Sequence, residues 1–177
     1  MWVPDSLDRL REWLEGNGIP QESWGIDGTK SVQHLWGEIE AGETALDSEP
    51  PLRRVTVVTL RIRQDGKELV EIAQLMADGS WRPRDEAPAE KMKPGEQAAD
   101  TARRCVAEEL GVEGPGVVVG PISERRLRRD SSPSYPGLAS EYVFHDVDVE
   151  VPGLSSWNFW TREAGDGVVS AHLWAWR

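Results

Sequence analysis

The sequence predicts an α/β protein with a mixed β-sheet and an N-terminal helical extension. Three observations predict this class: apolar residues at helical spacing before residue 50, β-branched runs separated by turns after it, and one further amphipathic helix followed by strands. A chain of 177 residues is long enough to bury one hydrophobic core. We therefore expect a helical extension at residues 1–50, packed on a core domain formed by residues 51–177.

Two helices are predicted in the N-terminal extension. The first spans residues 5–15, with Ser6 as its N-cap and apolar side chains at Leu7, Leu10 and Leu14. The second spans residues 31–41 and ends at Gly42. Each helix has one apolar face, so each needs a partner surface.

Strand signals dominate after Pro50 and Pro51. The run from Arg54 to Arg63 is rich in β-branched residues, the Asp65–Gly66 pair is typical of a turn, and residues 68–76 have the composition of a returning strand. This pattern predicts an antiparallel hairpin.

A third helix is predicted over residues 97–110, because Ala102, Val106 and Leu110 form one apolar stripe and Gly111 is a typical helix stop. Later strands are expected at residues 117–119, 123–128, 141–151 and 170–176. Strands on both sides of this helix complete the α/β order.

Charge and composition restrict the classes of partner. The formal net charge of −11 disfavours binding to nucleic acid or to an anionic membrane, because both would repel the chain. The N-terminus has no secretory signal pattern and the single cysteine excludes an internal disulfide, so we expect a cytoplasmic protein. An anionic ligand would have to be small and locally neutralised. A bound metal could do this, or the arginines at positions 125, 126, 128 and 129, if they do not simply face solvent.

The segment from Glu90 to Val112 resembles the Nudix box, G-x5-E-x7-R-E-U-x-E-E-x-G-U, where U is a bulky aliphatic residue. The matching positions are Glu96, Arg104, Val106, Glu108, Glu109, Gly111 and Val112. The sequence departs from the pattern at Glu90, which replaces the opening glycine, and at Cys105, which replaces the first glutamate of R-E-U-x-E-E.

The resemblance implies a Nudix-like α/β/α sandwich and a Mg²⁺ or Mn²⁺ site that supports hydrolysis of a nucleoside diphosphate linked to another group. It implies that Glu108 and Glu109 are metal ligands, that Arg104 orients a neighbouring acidic group, and that Glu96 is a supporting carboxylate. Positions 105, 108 and 109 share one helix face, where three carboxylates would hold a hard divalent ion.

Cys105 bears on whether the metal-dependent hydrolysis implied by the resemblance is retained. A thiol is a poor magnesium ligand and cannot form the bidentate pair that a carboxylate would form with Arg104, so we expect Arg104 to lose this partner. Cys105 is not expected to be a nucleophile, because it lies mid-helix and the histidines are remote in sequence. Either the remaining glutamates bind metal weakly, or the fold serves as a non-catalytic module for a ligand or a protein.

Ligand contacts are predicted after the box. Tyr135 and Tyr142 could stack on an organic group of a phosphorylated small molecule, and Arg125 could neutralise its charge. A late carboxylate often supplies the catalytic base in this family, and the candidates are Glu124 and Glu141. The sequence leaves the ligand, the oligomeric state and the choice of base open.

Overall fold

The computed structural model describes residues 2–26, 28–163 and 169–177. The chain forms two compact units, each assembled from segments that are separate in sequence. The first unit comprises Met1–Thr56, Lys93–Gly95 and Arg125–Phe144, and the second comprises Val57–Met92, Glu96–Glu124 and His145–Arg177. Residues 1–50, predicted as an extension, therefore share their unit with segments from the middle of the chain.

The two N-terminal helices form as the sequence predicts. Helix α1 spans Leu7–Gly16, and the Ser6 side chain caps it by accepting the Arg9 N–H at 3.2 Å. Helix α2 spans Val32–Glu40 and begins with a capping box, in which the Ser31 N–H donates to His34 Nδ1 at 3.1 Å. These side chains satisfy backbone donors that have no partner within a helix.

The core of the first unit combines both helices with a segment near residue 135. Its buried residues are Leu10, Leu14, Ile19, Trp24, Val32, Leu35, Leu46, Tyr135 and Leu138. Gly137 allows a close approach in this core. Its φ is +84°, and a Cβ atom there would lie 2.5 Å from Pro20 Cδ. The helical faces thus find their partner surface within the first unit.

The strands form two five-stranded sheets. They are β1 (Ala45–Ser48), β2 (Pro51–Arg61), β3 (Arg63–Gln64), β4 (Lys67–Met76), β5 (Trp81–Glu86), β6 (Ala89–Lys91), β7 (Val118–Arg129), β8 (Ser140–Glu150), β9 (Phe159–Arg162) and β10 (Val169–Trp176). One sheet has the order β1-β2-β8-β7, with β6 paired to β2, and the other has the order β3-β4-β10-β9, with β5 paired to β4.

Three strand predictions are corrected by this arrangement. The predicted hairpin is confined to the turn at Asp65–Gly66, where β3 pairs with the start of β4, because β2 and β4 belong to different sheets. The two short strands expected between residues 117 and 128 are one continuous strand, β7. The sequence analysis did not predict β1, β5, β6 or β9.

Helix α3 spans Ala98–Leu110 and ends at Gly111, whose φ of +68° is the left-handed conformation that favours glycine. Its buried stripe packs in the core of the second unit with side chains from both sheets, such as Leu60, Leu69 and Trp174. Beside this stripe lie Arg104 and Glu108, which are partly exposed. None of the described helices is long and apolar enough to cross a membrane.

Candidate functional site

Arg104 joins helix α3 to the loop that precedes it within the predicted box. Its guanidinium donates Nε–H and Nη2–H to the two carboxylate oxygens of Glu96, both at 3.0 Å, and Nη2–H to the Lys91 carbonyl at 2.8 Å. Nη1 lies 3.2 Å from Glu108 Oε2 and 3.6 Å from Glu90 Oε2. Arg104 therefore pairs with other carboxylates, while position 105 does not supply the carboxylate partner that the box pattern has there.

Glu96 is also fixed from a second side. Its Oε2 accepts the hydroxyl of the buried Thr101 at 2.9 Å, in addition to the bond from Arg104. Bidentate pairing of arginine with a carboxylate fixes orientation as well as distance. Glu96 and Arg104 thus stabilise the start of α3, a role that needs no metal.

Cys105 is a core residue. Its side chain has no exposed area and packs with Val106, Leu60 and Trp174. Burial raises the pKa of the thiol well above its usual value, and the nearby charges of Glu109 and Glu90 raise it further. The thiol is therefore neutral near pH 7, as expected for an inert cysteine rather than a nucleophile.

Glu109 follows Cys105 by one helical turn and lies among other carboxylates. Burial raises the pKa of Glu109 to about 8. The positive charge of His172 opposes this shift, whereas the negative charges of Glu71, Glu90 and Glu163 add to it. Glu109 is thus close enough to His172 for their charges to interact, although 63 residues separate them in sequence.

The structure reveals a buried ionic group around His172, which we call the His172 cluster: Glu71, Glu109, Glu163 and His172. The ring bonds carboxylates at both nitrogens, Nδ1 to Glu71 Oε1 and Nε2 to Glu163 Oε2 at 2.6 Å. Burial lowers the pKa of His172, but the bonds to Glu163 and Glu71 and the charge of Glu109 raise it to about 9. The ring is therefore an imidazolium near pH 7.

The sheet that contains β4 and β10 positions this cluster. In its register His172 pairs with Gln74, and Trp174 pairs with Glu71. Leu69 and Glu71 are both buried, so Glu71 occupies an inward position on β4. The sequence signal for this position is an acidic residue at an inward position of an apolar strand.

The predicted ligand-contacting residues lie in the first unit. Tyr142 stacks on Phe144 with ring centroids 5.8 Å apart, and the Arg125 guanidinium carbon lies 3.8 Å from the Phe144 centroid. Tyr142 and Arg125 are thus brought together through Phe144. Glu141 forms an ion pair with Arg54.

Tyr135 has a different environment from Tyr142. Its ring has no exposed area, packs against Trp24 at 5.1 Å and faces the Arg53 guanidinium at 5.0 Å. Stacking on a ligand would require an exposed ring face, which Tyr135 lacks. Its observed role is in the core of the first unit.

The two residues predicted as candidates for the catalytic base, Glu124 and Glu141, lie in ordinary surroundings for acidic residues. Glu124 lies at an exposed position of β7, and Glu141 is the partner of Arg54. Glu163, which follows the box in sequence, contributes negative charge at Glu109, although less than Glu71 and Glu90 do. Its position in the sequence did not indicate this.

The residues present do not fit a resident divalent ion on the predicted face. Position 105 offers a buried neutral thiol, Glu108 is bonded to Arg104, and the positive charge acting on Glu109 is that of His172. Among the described residues, no three His, Cys, Asp or Glu side chains are arranged to hold a metal ion. Magnesium prefers several oxygen ligands in an open octahedral site, which this face does not provide.

A cavity of about 310 Å³ lies elsewhere in the second unit, beside β2, β7 and β8. Arg61 Nε and Arg63 Nη1 approach the same Asp148 oxygen, at 2.8 and 3.6 Å. Glu150 also lines the cavity. Because two acidic residues offset the two arginines, the lining shows no charge preference for an anion.

Comparisons with known proteins identify the relatives of this chain. The sequence model of the NUDIX domain family matches residues 52–161. Similar solved structures include a NUDIX hydrolase from Nitrosomonas europaea, with 22% identity, a TM-score of 0.42, and coverage of 68% of this chain and 71% of that chain. The Ap4A hydrolase of C. elegans has 18% identity, a TM-score of 0.36, and coverage of 68% and 77%. No curated protein matches the sequence.

Proposed function

Because the chain belongs to the NUDIX domain family, we propose that it binds a diphosphate-containing or phosphorylated small molecule with weak or altered metal-dependent hydrolysis. Hydrolases of this family generally use a divalent metal ion, and Mg²⁺ or Mn²⁺, held only weakly by the incomplete face, would support the remaining hydrolysis here. Support for the ligand class comes from the family and from the resemblance of residues 90–112 to its box.

The burial of Cys105 is the main observation in favour of weak hydrolytic activity. A core thiol replaces the first carboxylate of the metal-binding face, while Arg104 and Glu96 keep the part of the box that holds the helix to its loop. The fold-stabilising half of the motif is therefore retained, and the metal-binding half is incomplete. Such a division favours ligand binding over rapid turnover.

The test is a panel of nucleoside and isoprenoid diphosphates, assayed for binding in chelator and for phosphate or monophosphate release with Mg²⁺ or Mn²⁺. We expect calorimetric binding of at least one compound without metal, and turnover well below the ~1–10³ s⁻¹ that is usual for enzymes. Rapid metal-dependent turnover by the unmodified chain would refute the proposal, as would failure of every compound to bind.

Two variants identify the source of any residual release. Glu109→Gln should abolish it, because Glu108, the other carboxylate on the face of Cys105, is bonded to Arg104. Cys105→Glu should raise it if the missing carboxylate is the main defect, and Cys105→Ala is the matched control for disturbance of the core. Release that survives Glu109→Gln would exclude Glu109 as a metal ligand.

A second candidate function is a protein-interaction module. Exposed tryptophans favour it: Trp157, Trp81 and Trp160 have 81%, 57% and 49% of their surface exposed, and the rings of Trp81 and Trp160 meet at 5.1 Å. Exposed aromatic side chains are enriched at interfaces. In this case the diphosphate panel would show no binding, and Trp81→Ala with Trp160→Ala would abolish self-association measured by analytical ultracentrifugation.

A further inference from the structure

We propose that His172 supplies the resident cation between Glu71 and Glu163, so that these two carboxylates need no metal ion and exclude one. This inference concerns the charge within the protein and holds whichever ligand the chain binds.

The hydrogen bonds of the ring support a positive charge at this position. Nδ1 faces Glu71 and Nε2 faces Glu163, and ionised carboxylates only accept hydrogen bonds. A neutral imidazole has one N–H and could donate to only one of them. A ring that bonds both carboxylates in their ionised form must carry both protons, and hence a full positive charge.

Packing holds the ring in this position. His172 is buried and stacks on Trp174 at 5.5 Å with an interplanar angle of 22°. Trp174 is itself fixed by donating Nε1–H to the Thr161 hydroxyl at 2.7 Å. From the other side, Arg84 Nε lies 3.0 Å from the second oxygen of Glu71. The imidazolium is therefore held by its stacking partner and by both carboxylates.

The same geometry explains why a metal ion would compete with the ring. Carboxylate oxygens are the ligands that Mg²⁺ and Mn²⁺ prefer, and the best placed oxygens of Glu71 and Glu163 are bonded to His172. A metal would have to displace a buried, stacked cation. Removing the ring would instead leave the carboxylates of Glu71 and Glu163 without the cation between them, with Glu109 nearby.

Titration of the protein with Mn²⁺, followed by electron paramagnetic resonance of the free ion, tests this exchange. The comparison uses the full chain, His172→Ala, and His145→Ala as a matched loss of a histidine from another strand. We expect at least tenfold tighter Mn²⁺ binding by His172→Ala than by the other two proteins. The double variant His172→Ala with Glu163→Gln should lose most of that gain.

Two outcomes of the titration would overturn the inference. Mn²⁺ binding by the unmodified chain as tight as by His172→Ala would show that the ring does not exclude metal. Failure of His172→Ala to bind Mn²⁺ would show that the carboxylates do not form a cation site.

A measurement on the unmodified protein keeps the inference testable even if His172→Ala does not fold. Nitrogen-15 NMR at pH 7 should show both His172 ring nitrogens protonated. A neutral His172 ring would refute the proposal. Neither experiment contains a phosphorylated ligand, so failure here is distinct from failure of the proposed function.

Discussion

Each of the two units contains a buried ionic group, and the two groups have opposite charge arrangements: one centres on a carboxylate and the other on an imidazole. In the first unit one carboxylate, Glu38, accepts from Lys30 Nζ at 2.7 Å, Arg53 Nη2 at 2.9 Å and the Thr44 hydroxyl at 3.0 Å; we call these four residues the Glu38 cluster. In the second unit one imidazole is shared by two carboxylates, with the charge of a third nearby.

The identity of the cation distinguishes these clusters. A buried guanidinium stays charged at any pH a protein survives, so the Arg53–Glu38 pair is a permanent structural connection. An imidazolium can lose its proton near neutral pH, so the His172 cluster has a charge balance that depends on conditions. Similar burial and similar distances thus give one fixed cluster and one adjustable cluster.

The largest expected loss of stability follows from breaking the Glu38 cluster. Glu38→Gln should lower the free energy of unfolding by about 3–5 kcal/mol, because it leaves the Arg53 charge buried without its carboxylate. Arg53 and Glu38 side chains are only 3% and 7% exposed, so solvent cannot replace the lost partner. Urea denaturation followed by tryptophan fluorescence measures the loss.

Lys30→Met is the matched control within the Glu38 cluster. The Lys30 side chain is 41% exposed, so its removal should cost less than about 1 kcal/mol. Equal losses for Glu38→Gln and Lys30→Met would contradict the view that the Arg53–Glu38 pair is the structural connection.

The His172 cluster should make the free energy of unfolding depend on pH. The pKa of His172 is raised to about 9, so its contribution is fully present below about pH 6.5 and is lost as pH rises through 9. Glu109, with its pKa raised to about 8, acts in the same direction, because its contribution is present below its unfolded pKa and is lost as pH rises through 8. The unfolding free energy should fall by roughly 3 kcal/mol between pH 6.5 and pH 9.5 from His172 alone.

Urea midpoints measured at intervals from pH 6 to pH 9.5 test this slope. In His172→Gln the decline should shrink to the part that Glu109 contributes, whereas in Glu38→Gln it should persist at lower overall stability. A slope unchanged in His172→Gln would exclude the ring as its source.

The sequence predicted the helix that carries much of the candidate site. The apolar stripe and Gly111 located α3, and the box pattern placed Arg104, Cys105 and Glu109 on it in the observed order. These are local features, determined by helical periodicity and by residues within about two turns. The α/β class and the caps of α1 and α2 were likewise predictable from short-range patterns.

The contacts that define the site could not be predicted in this way. Glu71 and His172 are 101 residues apart and meet only through the register of β4 and β10. The division of β2 and β4 between two sheets is also non-local, because an Asp-Gly turn predicts a hairpin but not where its strands separate. Arg104 pairs with Glu96, which lies eight residues earlier and before the helix, as well as with Glu108, one turn later on α3.

Arg104 forms a third kind of ionic group, in which one permanently charged guanidinium is shared by several carboxylates. Arg104→Gln should lower the unfolding free energy by about 2 kcal/mol, less than Glu38→Gln because its side chain is 18% exposed. The pH slope between 6.5 and 9.5 should be retained, because His172 is unchanged. Loss of that slope in Arg104→Gln, measured by the same urea series, would show that the His172 cluster depends on Arg104.

The smallest effect is expected at an exposed ion pair that is as short as a pair of the Glu38 cluster. Arg9 Nη1 lies 2.7 Å from Glu12 Oε2, as close as Lys30 lies to Glu38, but both side chains are 63% exposed. Glu12→Gln should therefore change the unfolding free energy by less than about 0.5 kcal/mol, because water solvates each charge in the absence of the other. A loss as large as that of Glu38→Gln in the same urea experiment would mean that distance, rather than burial, decides the strength of these pairs. The contrast drawn between the Glu38 and His172 clusters would then lose its physical basis, since it depends on charges that solvent cannot reach.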